Sequence, residues 1–257
     1  MLLAQMSDLH LDGGSVAHDR VVSVVDFIRH LRQLPDAVLV TGDLADHGAA
    51  EEYAEAAEIF SQLPMPVAFL PGNHDQRNGF RGLVAEMGGP GFSGTNGTTS
   101  SADDPANQLW RFDDAVLALC DTTVPGAPGG YLADVTRDWL ASVVADTQAG
   151  TTLLIGLHHP PVTVYSNVLD PMRQLGEQRL ADVLAGRSGP TYLLCGHAHT
   201  PCATTFAGVP LIVAPGVRST LMLPWDSPPD TADEARAPGL AMHVLSQGRL
   251  TTHFRFV

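Results

Sequence analysis

Five apolar runs of strand length each stop at a residue type that binds metals. The run 153–157 ends at His158-His159, and Pro160-Pro161 then forbid the strand to continue. The run 2–6 ends at Asp8 and His10, and 37–40 at Gly42-Asp43. The run 67–70 ends at Gly72-Asn73-His74-Asp75, and 192–195 at Gly196-His197-Ala198-His199. A chain built this way is constrained to a sheet that holds a metal cluster along one edge.

The elements between these stops set the topology. Val21, Val24, Val25, Ile28 and Leu31 recur at helical spacing, which predicts a helix over 17–34 ended by Pro35. A second helix is expected over 49–63, so the first part of the chain reads βαβαβ, the pattern of parallel strands with right-handed crossovers. A short helix over 79–87 follows. A Gly/Ser/Thr/Asn-rich loop over 88–101 separates it from a β-hairpin, 108–112 with 115–120. Helices are then expected over 134–149 and 174–185, around the loop 162–173. Short strands follow at 203–206, 211–214, 240–245 and 250–256, with a proline-rich acidic excursion at 224–238. The predicted fold is α/β: a four-layer α-β-β-α sandwich of two mixed sheets with helices outside. It forms a single domain over 1–257 that includes a C-terminal β segment, 217–257.

The candidate metal ligands are Asp8, His10, Asp43, Asn73, His158, His197 and His199. Oxygen and imidazole donors together suit Mn, Fe, Zn or Co better than a thiolate-seeking ion. Seven side chains exceed one tetrahedral site and suit two metals. Asp43 is the natural bridge, using both carboxylate oxygens. Asp8 and His10, two apart in extended chain, point the same way. The glycines before Asp43, Asn73 and His197 let backbone approach the cluster. His74, beside Asn73, is placed to contact a phosphoryl or leaving-group oxygen. Asp46 and Asp75 either orient ligand imidazoles or cap helices. His159 adjoins His158 but faces the opposite way and is read either as supporting a ligand or as structural; His18, His30, His47, His243 and His253 are read as structural.

Charge narrows the substrate. With 14 Lys+Arg against 28 Asp+Glu the net charge is −14. That disfavours nucleic acid as a scaffold partner, an anionic membrane surface, and a nuclease, which needs a basic groove. Two divalent ions would bring +4. Asp8, Asp43 and a hydroxide would take it down to about +1, complementary to a phosphodiester. Paired metals can generate hydroxide at neutral pH and clamp an in-line phosphoryl displacement. Three cysteines form no CxxC pair and fit buried thiols in a reducing compartment. No charged-then-apolar leader precedes the first strand and no apolar run has the length of a membrane span, so a cytoplasmic protein is expected.

The blocks Asp8-x-His10, Gly42-Asp43, Gly72-Asn73-His74-Asp75, His158-His159 and Gly196-His197-Ala198-His199, in this order, resemble the calcineurin-like metallophosphoesterase superfamily. The resemblance runs from the first strand to about Gly216. Gly42-Asp43-Leu44-Ala45-Asp46, the continuation Gln76-Arg77, His158-His159-Pro160-Pro161 and Leu169-Asp170-Pro171 resemble the bacterial class III cyclic-nucleotide phosphodiesterases and their glycerophosphodiesterase relatives. The resemblance implies one metal on Asp8, His10, Asp43 and His199, and another on Asp43, Asn73, His158 and His197. It implies a substrate-contacting His74 and a homo-oligomer, often a dimer. The protein Ser/Thr phosphatases of the superfamily carry an arginine after the Gly-Asp block. Here that stretch is Asp46-His47-Gly48, which argues against a phosphoprotein substrate. The expected activity is hydrolysis of small phosphodiesters, 3′,5′-cyclic nucleotides first and glycerophosphodiesters next. A non-catalytic metal-binding scaffold is the alternative of another class.

Overall fold

A computed structural model describes residues 1–89 and 104–257. Two mixed sheets lie face to face. The first runs in the order β15-β14-β1-β2-β3, made by β1 (Leu2–Met6), β2 (Ala37–Thr41), β3 (Val67–Leu70), β14 (Gly239–Ser246) and β15 (Arg249–Phe256). The second runs β10-β11-β9-β7-β5-β4, made by β4 (Gln108–Arg111), β5 (Ala115–Cys120), β7 (Thr152–Leu157), β9 (Thr191–Cys195), β10 (Cys202–Phe206) and β11 (Val209–Val213). Strands β1, β2 and β3 are mutually parallel, as are β5, β7, β9 and β11. Antiparallel pairs finish each sheet.

The period-two alternation of strands explains why these runs are apolar without interruption, since both faces are buried. Leu3, Leu39, Leu70, Leu117, Leu119, Leu154 and Leu194 meet between the sheets. Their neighbours Ala4, Met6, Val38, Val40 and Phe69 point outward onto α1 (Ser15–Arg29), α2 (Ala50–Phe60) and α3 (Arg77–Glu86). Val116, Ala118, Leu153 and Ile155 point the other way, onto α4 (Asp134–Asp146) and α5 (Gln178–Leu184). Three apolar layers separate four structural layers, which is the α-β-β-α sandwich expected from the sequence.

Some boundaries differ from expectation for local reasons. Helix α1 ends at Arg29 rather than Leu34. The His30 amide and ring both turn back on the Asp26 carbonyl, and Leu31 N–H bonds to Ile28 in a tightened turn. The helix expected from Gln174 starts only at Gln178. Gln174–Leu175 is instead a short strand, β8, paired with β6 (Gly130–Tyr131), and Gly176 follows in the left-handed region. The 224–238 excursion carries a two-residue strand, β13 (Ala232–Asp233), paired with β12 (Thr220–Leu221). Arg20 of α1 donates to the Val217, Glu234 and Arg236 carbonyls on either side of it. The loop read over 88–101 lies, from residue 90 on, outside the described residues. No helix among the described residues is long and apolar enough to cross a membrane.

Candidate metal centre

All seven predicted ligands converge beyond the carboxyl ends of β1, β2, β3, β7 and β9, so both sheets contribute. The loops after β1 and β2 stay paired past the strands. Asp8 N–H donates to the Gly42 carbonyl at 3.1 Å, and Leu9 and His10 N–H donate to the Asp43 carbonyl at 2.8 and 3.0 Å. This pairing carries Asp8, His10 and Asp43 into the left-handed region, with φ of 56°, 46° and 51°. His197 and His199 sit there too, at 66° and 52°. Five non-glycine residues in a region that costs each of them about 1 kcal/mol or more concentrate at a functional site. Asp8 and His10 therefore do point into one pocket, but through these turns rather than through extended chain. A Cβ on Gly42, itself at φ 98°, would overlap the His158 imidazole, and one on Gly72 would overlap the Asp43 carboxylate.

Four of the imidazoles, His10, His158, His199 and His74, are each fixed through Nδ1. His10 Nδ1–H donates to Asp46 Oδ1 at 2.8 Å. His158 Nδ1–H donates to the Thr41 carbonyl at 2.7 Å, and His199 Nδ1 meets Ser219 Oγ at 2.9 Å. His74 Nδ1–H donates to the Asp46 carbonyl at 2.8 Å. The second nitrogens of His10 and His199 face one another across the pocket. His10 Nε2 stands 3.1 Å from His199 Nε2. Asp43 Oδ2 lies 3.5 Å from His10 Nε2 and 3.3 Å from His158 Nε2. Asp43 Oδ1 is taken by the His74 backbone N–H at 3.0 Å. One oxygen, not both, is thus common to the two groups of donors.

The fit of this arrangement to cations can be read from its orphaned atoms. Asp8 Oδ2, Asn73 Oδ1, His158 Nε2 and His197 Nε2 are buried with no hydrogen-bond partner. A buried polar atom left unsatisfied costs about 1–3 kcal/mol, so four on residues of the ligand loops mark atoms placed for an electron-pair acceptor. Ligand atoms of Asp8, His10 and His199 lie within 4.8 Å of one another, as do those of Asp8, Asp43 and His158. The electrostatics agree. Burial pulls the His158 pKa down, and the Asp43 carboxylate beside it more than reverses this, pushing it up to about 9. Burial and repulsion from His158 push His197 down to about 3. Asp43 itself is held well below the usual carboxylate range, burial being outweighed by His158 and His10. The carboxylates gather positive charge, and the donor set is that of a hard or borderline divalent ion.

The neighbouring residues divide cleanly. His159 could complete a donor triad with His158 and His197 by distance, yet both its nitrogens are occupied. Nδ1 accepts from Thr122 Oγ1 at 2.9 Å, and Nε2–H donates to the Pro128 carbonyl at 3.2 Å. Both bonds run to the 122–128 segment rather than into the pocket. Asp46 orients His10. Asp75 neither orients an imidazole nor caps a helix. It accepts from the backbone N–H of Leu44, Ala45 and Gly72 at 3.2, 3.1 and 2.8 Å, locking two ligand loops together. Burial and the Asp43 charge push its pKa up to about 6. Ser219 and the Thr41 carbonyl, which position His199 and His158, carried no sequence signal. A crevice of about 250 Å³ opens beside Asn73, between 75–78 and 123–126.

The calcineurin-like phosphoesterase family profile matches residues 1–201. A probable cyclic nucleotide phosphodiesterase from Rhodococcus erythropolis is 34% identical over 226 residues, covering 82% of this chain and 69% of that one. The glycerophosphodiester phosphodiesterase GpdQ of Enterobacter lignolyticus is 29% identical over 228 residues, 84% of this chain and 77% of that one. Among solved structures, a dimetal phosphatase from Danio rerio superposes with a TM-score of 0.67 at 14% identity, covering 98% of both chains.

Proposed function

The chain belongs to the calcineurin-like phosphoesterase family and is a phosphoric diester hydrolase with a dinuclear metal site, and on that premise we propose that it hydrolyses 3′,5′-cyclic nucleotides. One ion would be held by Asp8, His10, Asp43 and His199, the other by Asp43, Asn73, His158 and His197, with Asp43 Oδ2 shared. The observation that carries this is the set of four orphaned donor atoms, on Asp8, Asn73, His158 and His197, together with the two imidazole nitrogens of His10 and His158 that flank Asp43 Oδ2. Fe, Mn, Zn or Co all suit the donors. The ions supply Lewis acidity toward phosphate oxygens and lower the pKa of water at neutral pH.

The protein's own groups do the rest. With two divalent ions bound, Asp8, Asp43 and one hydroxide would together leave the site about one unit positive, which matches a phosphodiester's single charge and not a phosphomonoester's two. The Asn73 amide lies beside the phosphoryl position and its N–H steadies negative charge developing on oxygen. His74 is locked through Nδ1 by the Asp46 carbonyl, which leaves Nε2 for the substrate. In its protonated form it gives the Nε2 proton to the leaving alkoxide. No arginine follows Asp43 at the position that would hold a second phosphate charge, since Asp46-His47-Gly48 occupies it.

The relatives named above favour a cyclic nucleotide first and a glycerophosphodiester second. Turnover of cAMP against glycerophosphoethanolamine by the same preparation separates them. cAMP hydrolysis with little or none of the second supports the reading; the reverse overturns it. Three free thiols support the cytoplasm. A homodimer or higher homo-oligomer belongs to the same proposal, supported by the eight-residue edge strand β15, and light scattering tests it.

A further inference from the structure

The crevice beside Asn73 has an unusual outer wall. Its inner side is the start of α3, with Gln76, Arg77 and Asn78. Its outer side is the turn Thr123-Val124-Pro125-Gly126 that follows β5. The two sides come from different sheets. Arg77 joins them: its Nε donates to the buried Asp121 carboxylate at 3.0 Å and its Nη2 to the Thr123 carbonyl at 3.1 Å. The turn itself is closed by Ala127 N–H to the Val124 carbonyl at 2.9 Å and by Tyr131 N–H to the Thr122 carbonyl at 2.8 Å.

From behind, the turn is held by His159 as well. The ring is fully buried. It takes a bond from Thr122 at one end of the turn and gives one to Pro128 at the other. Gly130 packs so closely on the ring that a Cβ there would overlap it. Its neighbour His158 is aimed into the metal pocket from the same strand end. One dipeptide therefore fixes the cluster and, through opposite faces, the wall beside it.

We propose that this crevice seats the esterified alcohol arm of the diester, and that His159 is a positioning residue that holds its outer wall. The assignment rests on the phosphodiesterase reading above, under which the arm is a nucleoside. At about 250 Å³ the crevice falls just under the ~300–1,000 Å³ of pockets that take a whole small molecule. It has room for one arm while the phosphate lies on the cluster. Its lining is two-sided. Val124, 37% exposed, and Pro125 offer an apolar edge for a base. Gln76, Asn78 and Thr123 offer polar groups for ribose hydroxyls and ring nitrogens.

Two variants of the metal-loaded enzyme test this. Val124→Trp fills the crevice from an exposed position. It is expected to raise KM for cAMP at least ~10-fold while kcat moves less than ~3-fold and metal content stays as in the wild type. His159→Phe keeps the ring's bulk and removes both bonds. It is expected to raise KM with metal content retained, and to accelerate amide hydrogen exchange across 123–129. Thr122→Val, which removes one bond only, gives the same exchange effect in smaller measure if the phenylalanine variant does not fold. An unchanged KM in Val124→Trp overturns the subsite. Unchanged exchange in His159→Phe, or in Thr122→Val in its place, overturns the positioning role. If the wild type hydrolyses glycerophosphoethanolamine and not cAMP, the substrate reading fails by itself. The KM comparison is then made with that diester, and an unchanged value overturns the subsite there as well.

Discussion

Histidines are buried in two regions of this protein, and they are buried differently. Under the C-terminal hairpin, His243 of β14 is sealed from solvent with both nitrogens used: Nδ1 accepts from Thr252 Oγ1 at 2.8 Å and Nε2–H donates to Gln5 Oε1 at 2.9 Å. At the mouth of the sandwich, His158 and His197 are just as inaccessible, yet each keeps an Nε2 with no partner. Burial alone does not distinguish a ligand from a structural ring. The unspent nitrogen does, and so does the company of Asp8 and Asp43. His159 sits within the second region by sequence and belongs to the first kind by bonding.

The comparison can be broken at the mouth first. Asp43→Ala removes the one oxygen that faces both donor groups. Turnover is expected to fall below detection, and bound metal to less than one ion per chain by elemental analysis. Two full ions in that variant would mean the shared oxygen is not shared. His74→Ala should keep both metals and lose about 10²–10⁴-fold in kcat, the usual size of a proton-transfer contribution. Unchanged kcat would remove His74 from the reaction.

The hairpin region should answer in stability instead. His243→Ala leaves Gln5 Oε1 without its donor in a sealed layer, at a cost of about 1–3 kcal/mol. Chemical denaturation should show that loss while metal content and kcat stay at wild-type values. A fall in metal content would show that the two regions are not separate. A smaller effect comes from pH. Burial pushes the His243 pKa down to about 3, against an ordinary value near 6.5. The neutral ring's contribution is therefore fully present above about pH 6.5 and is lost as pH falls toward 3. Between pH 6.5 and 5 the wild type should lose about 2 kcal/mol more than His243→Gln. Parallel curves for the two would contradict a neutral His243.

The sequence reveals the edge where Asp, Asn and His gather because strand ends are sharp events: an apolar run broken by one of these is visible without any fold. The two-sheet sandwich was legible for the same reason, since runs such as 153–157 and 192–195 need apolar cover on both faces. What escaped were features set by partners distant in sequence. Ser219 meets His199 and the Thr41 carbonyl meets His158, 117 residues on. Nothing local announces either. Asp75 lies in a readable motif, but its work on the backbone of Leu44 and Ala45 depends on how two loops dock. The positive φ of Asp8 and His10 was hidden because Asp-x-His in isolation reads as extended chain. Gly176 shows the converse, a break that periodicity alone passed over.

The proposed reaction needs two cations that would be held by residues on either side of Asp43. Anomalous diffraction from crystals of the active enzyme measures that directly. Two peaks per chain are predicted, one among Asp8, His10 and His199 and the other among Asn73, His158 and His197, with Asp43 between them. A single peak, or none in crystals of fully active protein, would contradict it.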